Sequence, residues 1–364
     1  MKAKKVAVFV FAVVMGTAML TSCGSKTVDA DAVVAEMDDE VVRLGVANFM
    51  ARYTQSTYDS AYVSYFGEEY WSQDMSGEGK TMEADVKKQI LDNLKTYYAL
   101  ESHMDEYDVE ITKKEMEKIN KAAKTFIKDN EKDTIKLMSA TERDVAEYLR
   151  LITIQHKMQK KIEADVDTKV SDEEAAQRTF SYVRISTAGT TDENGENREY
   201  SEKELKSLKA KAQILADGGA ENFEKTAEAE GFQVEDFSYK AGSEDEEMAK
   251  AVLEEADKLK EGENSGVIEA EDAYYVIRLD SEFDKKATNE KKEEIVEERK
   301  SELYKKVCDD LKKDFKFEVD KNVWKSVTFK ELFELKAEED AAQEKTDDGE
   351  TEEDTEKIEE KEES

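Results

Sequence analysis

The chain of 364 residues has no proline, two histidines and two cysteines. Without proline it contains no X-Pro bond, so no step of its own folding waits on the isomerisation of one. His103 and His156 are far apart in sequence, and nothing near either offers a recognisable ligand set. No metal site is therefore expected, and with no glycine-rich phosphate loop or nucleophile motif, no cofactor either. Net positive charge is also missing. A formal charge of −34 repels nucleic acid and anionic lipid headgroups, which excludes both as binding partners. Long apolar runs are absent too. Val6 to Leu20, fifteen residues, falls short of the roughly 20 that a membrane-spanning helix needs, and no other run approaches that length.

That short run is informative for what surrounds it. A basic head (Lys2, Lys4, Lys5) precedes it and Leu20, Thr21, Ser22 and Cys23 follow, which is the layout of an export signal. The ending resembles a bacterial lipobox. The resemblance implies a lipoprotein signal peptide over 1–22, lipidation of Cys23 as the first mature residue, a linker over 23–32, and a location on the outer face of the cytoplasmic membrane. Once Cys23 is lipidated an intramolecular disulfide is excluded. Cys308 shares a helical face with Tyr304, Leu311 and Phe315, where a thiol acts as a small apolar filler. At the other end, 336–364 is almost wholly acidic, basic or small, too poor in apolar residues to fold, and is expected to be disordered.

The middle of the chain, 171–283, reads as an α+β module. Phe180 to Ser186 alternates with the period of a half-buried strand, and Ala273 to Leu279 is an aromatic and β-branched strand. Gln233 to Tyr239 supplies a third. Ser201 and Glu204 form a capping box ahead of Leu205, Leu208, Ala212 and Leu215 at helical spacing. A second helix is expected from Glu246 to about Lys260, stopped at Gly262.

In order and spacing, the run from Asn222 to Glu228, then Met248, then Leu259 to Ser265, then Tyr274 to Leu279 resembles the parvulin-type peptidyl-prolyl isomerase domain. The match needs no gap from Met248 onward. Parvulins use two inward histidines, a cysteine or aspartate, and a methionine and phenylalanine that form a proline cup. Carried over position by position, the histidines fall on Tyr182 and Tyr275, the methionine is kept as Met248, and the cup phenylalanine falls on Val252. The cysteine or aspartate position lies in a shortened loop, with Asp236 nearest. The resemblance implies an isomerase pocket that is degenerate, with activity left open.

The flanking segments supply a second resemblance. Val33 to Met37 and Glu40 to Leu44 read as a hairpin, followed by a helix over Gly45 to Tyr53 with Val46, Phe49, Met50 and Tyr53 as its apolar stripe. An aromatic-rich stretch over 54–80 suits either packing or a client surface. Helices follow over 82–106, over 112–130 with a Thr112/Glu115 capping box, and over 139–164. Ser171 caps a short helix, and a long charged helix runs over 288–316. The opening is similar to the chaperone domain of PrsA-type foldases and SurA-type chaperones. In that family the last helix returns to the first ones. The expected fold class is thus α+β, with a helical chaperone domain built from N- and C-terminal segments (33–170 and 284–335) around an inserted parvulin-like domain.

Two readings of function stand beside each other: a membrane-anchored foldase with a weakened isomerase domain, or a non-catalytic holdase or peptide-binding lipoprotein. Either takes unfolded or newly exported polypeptides as partners, reaches the membrane through Cys23, and leaves a homodimer open. The missing proline makes one prediction independent of both. Refolding from denaturant, followed by stopped-flow fluorescence, should show no phase on the 10–100 s scale of prolyl isomerisation, and adding an unrelated prolyl isomerase should leave the rates unchanged.

Overall fold

The computed structural model describes residues 27–37, 40–191, 197–270, 272–333 and 335. The proposed lipidation site at Cys23, the leader and the acidic tail lie outside them. Two compact units emerge, one made of the chain up to Lys161 and from Lys306 onward, the other of Ile162–Lys305. The expected class, a helical unit built from both ends of the chain with an α+β module inserted, is the one found.

The first unit opens with the antiparallel hairpin β1 (Val33–Glu36) and β2 (Val41–Arg43). It feeds α1 (Leu44–Tyr58), which is longer than its apolar stripe suggests. Asn48, Arg52, Gln55 and Ser56, on the face a sequence reading gives to solvent, are buried as well. A π-helical turn, Asp59–Val63, follows, then α2 (Ser64–Phe66) and a 3-10 turn over Glu68–Ser72. Tyr70 and Trp71 are buried, whereas Tyr62, Tyr65 and Phe66 are exposed.

Next come α3 (Met82–Ser102), capped by the Thr81 side chain, and α4 (Lys113–Asp129), which carries the Thr112/Glu115 capping box. An unanticipated α5 (Lys132–Met138) ends where Ser139 takes a left-handed conformation, at φ 49°. The helix expected from 139 therefore starts later, as α6 (Glu142–Glu163). Neither histidine joins a ligand set. His103 Nδ1 lies 2.8 Å from the Ala99 carbonyl, and His156 is exposed.

The second unit begins with α7 (Asp172–Ala175), capped by Ser171, and β3 (Arg178–Ser186). A small hairpin, β4 (Thr190–Thr191) and β5 (Asn197–Arg198), precedes α8 (Glu202–Asp217), whose Ser201/Glu204 capping box is formed. Then follow α9 (Phe223–Glu230), β6 (Glu235–Tyr239), α10 (Lys250–Ala256), β7 (Ile268–Ala270) and β8 (Ala273–Ser281). The sheet runs β6-β3-β8-β7, antiparallel throughout. Alternation along the strands gives it two apolar faces. Val183, Ile185 and Val276 pack on Ala212, Leu215 and Phe223 of α8 and α9, while Phe180, Tyr275, Ile277 and Leu279 pack on α10. The segment read as one helix from 246 to 260 is helical only over α10.

Gly262 sits at φ +81°, and its N–H donates to the Leu279 carbonyl at 2.7 Å. Ser265 Oγ accepts from the Ile277 N–H at 3.0 Å. The turn that carried much of the family resemblance is thus a clip that holds β8.

The long helix α11 (Lys285–Asp314) leads to β9 (Glu318–Val319), which pairs with β1, so that the three-stranded sheet β2-β1-β9 joins the two ends of the chain. Asp320 caps α12 (Lys321–Trp324), and its N–H donates to the Val34 carbonyl at 2.9 Å. Trp324, Val327 and Phe329 complete a core with Val34, Trp71, Ile90 and Leu94. Cys308 is buried. No helix of the described residues is long and apolar enough to cross a membrane.

Asp59 in this unit titrates out of its usual range. Burial pushes the Asp59 carboxyl from 3.8 up to about 6, even though Trp71, the Phe333 N–H and Gln55 all donate to it. The folded state therefore binds this proton more tightly than the unfolded chain does. The stabilising contribution is complete below the unfolded pKa and is lost as pH rises through about 6. Asp59→Asn mimics the protonated form. The stability advantage of Asp59→Asn over the parent, from urea titrations, should shrink by about 1–3 kcal/mol between pH 7.5 and pH 4.5.

Candidate functional site

The site is built on the α10 face of the four-stranded sheet. Phe180, Tyr182 and Arg184 alternate along β3 onto this face, as do Tyr275, Ile277 and Leu279 along β8. The register places Tyr182 opposite Ile277 and Tyr275 opposite Arg184, so the two tyrosines are diagonal neighbours rather than a facing pair. Their rings lie 6.2 Å apart, inclined at 35°. Phe180 continues the row, 6.1 Å from Tyr182, 5.7 Å from Phe237 and 5.5 Å from Tyr239. The result is an aromatic floor laid across three strands.

Met248 and Val252 pack on this floor. Met248 lies just ahead of α10 rather than within it, so the two reach the same cluster from a loop and from a helix. All four pocket positions therefore come together. They do so as a packed cluster: Met248 is 5% exposed, Tyr275 7% and Val252 0%, and only Tyr182 is half-buried. Valine at 252 shows no surface that could grip a proline ring.

The polar rim contains residues the sequence reading missed. Tyr182 donates to Glu235 Oε2 at 2.6 Å, and Arg184 Nε donates to the Tyr275 hydroxyl at 3.0 Å. Arg184 also pairs with Asp272. Asp236, the nearest candidate for the acidic position, lies on the opposite face of the sheet, where it accepts from Ser181 at 3.0 Å. Strand alternation was the available signal: Glu235 is the direct partner of Tyr182 across β3 and β6, and its neighbour must face away.

Burial and the Glu235 carboxylate push the Tyr182 phenol up to about 12, so it stays protonated and a donor at neutral pH. That proton is committed to Glu235. The Tyr275 hydroxyl accepts from Arg184 and so keeps its own hydrogen to give. Among the described residues no group of His, Cys, Asp and Glu could hold a metal ion.

Comparison with known proteins bears on this module. Residues 191–290 match the family model of the PPIC-type peptidyl-prolyl isomerase domain. No curated protein matches the chain in sequence. Among solved structures, the foldase PrsA of Lactococcus lactis is 17% identical, with 81% of this chain and 97% of that chain covered and a TM-score of 0.34. For PrsA of Streptococcus pneumoniae the identity is 17%, the coverage 70% and 97%, and the TM-score 0.29. A SurA-like chaperone of Campylobacter jejuni is 14% identical over 80% and 100%, with a TM-score of 0.27. The resemblance read from Asn222 to Leu279 is thereby borne out: the inserted module carries a parvulin-type, PPIC-type isomerase domain.

Proposed function

We propose that the protein is an extracytoplasmic foldase that holds unfolded polypeptides and carries a prolyl isomerase domain of reduced power, tethered to the membrane through Cys23. The observation that carries this reading is the convergence of Tyr182, Tyr275, Met248 and Val252 on one aromatic floor, the last three of them within the matched isomerase segment. Rotating a prolyl amide needs no nucleophile or metal. It needs an apolar seat for the ring and a donor for the prolyl nitrogen, whose lone pair becomes an acceptor as the amide twists, against a barrier of about 18–20 kcal/mol. Tyr275 supplies the donor, oriented by Arg184, and the aromatic floor supplies part of the seat. The wall that a phenylalanine gives elsewhere in the family is missing at Val252, so substrate is oriented less tightly, and orientation is a large part of the available rate.

The alternative, a non-catalytic holdase, is favoured by one observation, the full burial of Val252. A protease-coupled proline assay on the full mature chain separates the two. The foldase reading expects acceleration above buffer, lowered at least fivefold by Met248→Ala and by Tyr275→Phe. A parent rate equal to buffer, with aggregation of a denatured client still suppressed, establishes the holdase instead.

The tether has its own test. In cells, the parent should fractionate with membranes and enter the detergent phase on phase separation, and Cys23→Ala should appear in the soluble fraction. Equal partitioning of the two would remove the anchor from the proposal.

A further inference from the structure

Charge on the first unit is unevenly placed. Residues 112–138, which hold α4 and α5, carry eight lysines against five carboxylates inside a chain whose formal charge is −34. α4 sorts its residues by face. Ile119 and Ala123 are buried, and Met116 and Phe126 pack against the same cluster. Lys114, Lys118, Lys121, Lys124 and Lys128 follow one another at spacings of three and four on the outward side, and all five are exposed. Glu117 lies within that stripe, whereas Glu115 is taken up by Lys157 at 2.8 Å and by the Thr112 cap.

Ion pairing distinguishes the stripe from other lysine-rich surfaces. On α11, Lys291, Lys300 and Lys313 pair with Glu294, Glu297 and Asp310 at 2.6–3.0 Å. Of the five stripe lysines, only Lys128 has a carboxylate within 4 Å among the described residues, its neighbour Asp129 at 3.9 Å. The stripe therefore carries positive charge that its own surroundings do not neutralise.

The missing counter-charge begins where the described chain stops. Leu335 packs against the cluster that holds Ile119 and Ala123, so 336–364 leave the unit beside α4. That segment has fifteen carboxylates and four lysines. α4, at 17 residues, is about 25 Å long. The 29 residues beyond Leu335 span about 30 Å as a flexible coil, enough to reach each stripe lysine from that start. A segment too poor in apolar residues to fold can still be held by charge. Many weak, exchanging ion pairs suffice when both partners belong to one chain, because the tether sets an effective concentration in the mM range.

We propose that 336–364 dock in cis on the lysine face of α4, as a salt-sensitive cover held by exchanging ion pairs rather than by a fixed fold. The remainder of the chain is net negative and repels the segment, which leaves the stripe as its seat. This goes beyond the foldase reading and does not depend on it, since it requires neither a client nor a lipid anchor.

The test reads amine acetylation of individual lysines by mass spectrometry, on the full mature chain and on a chain ending at Leu335 with the same circular dichroism. In low salt the five stripe lysines should react at least threefold faster in the shortened chain, while the exposed Lys206 of α8 keeps its rate. Raising NaCl to about 1 M, where the screening length is about 3 Å, should remove the difference. Equal rates in the two chains at low salt overturn the proposal. A fluorescein-labelled peptide of residues 336–364 should bind the shortened chain in low salt, and replacing the five lysines with glutamine should weaken it at least tenfold. Absence of binding, or equal affinity, overturns the proposal as well. Should the shortened chain fail to fold, the full chain carries the test: between low salt and about 1 M NaCl its stripe lysines should gain at least threefold in rate relative to Lys206, and no gain overturns docking. Protection that rises with protein concentration places a second copy's segment on the stripe and overturns docking in cis.

Discussion

The first unit depends on how one helix, α1, meets the chain on its polar side. Its apolar stripe would be satisfied by any greasy neighbour. Its other stripe, Asn48, Arg52 and Gln55, continued by Asp59 of the π-helical turn, is buried too, and buried polar groups need partners of the right kind in the right place. Asn48 donates to the Met138 carbonyl at the end of α5, which explains why that short helix stops where it does. Gln55 and Asp59 take a carbonyl and an N–H from the end of the chain, and Trp71 Nε1 closes the set on Asp59 at 2.7 Å. A satisfied buried hydrogen bond contributes about 0.5–1.5 kcal/mol net, while an unsatisfied partner costs about 1–3 kcal/mol. The stripe therefore works mainly by penalising other arrangements. It makes the packing of distant segments specific, which apolar contact alone would not do.

The second unit is organised by alternation instead. A strand whose residues alternate faces commits each position to one side of the sheet, and a slip of one residue would exchange the aromatic floor for the α8 face. Five-residue pairing of β3 with β6 and the longer ladder of β3 with β8 fix that register. The same rule decides which acid joins the site: Glu235 can reach Tyr182 and Asp236 cannot.

Much of this was legible in the sequence where local chemistry decides structure. Both capping boxes, at Thr112/Glu115 and Ser201/Glu204, formed as read, because a cap is satisfied within four residues. The two central strands of the module, β3 and β8, and the hairpin that opens the first unit were equally local. What failed to show was non-local. The polar stripe of α1 looks like a solvated face until the partners that bury it, more than two hundred residues onward, are known. β9, two residues long, is a strand only because β1 lies beside it. At the site, the aligned positions were recoverable by spacing. Their burial was not, since whether Val252 lines a cup or plugs it depends on how closely α10 settles on the sheet.

That last point bears on what the floor can still do. Catalysis of prolyl rotation rewards a site for binding the twisted amide better than the planar one, whereas holding a client rewards binding of any kind. A buried valine at 252 gives a proline ring no wall, and the cluster around it keeps a polar rim. Tyr182, Val252 and Tyr275 belong to that cluster, while the Gly262–Ser265 clip and the β3–β8 ladder hold the module's strands together.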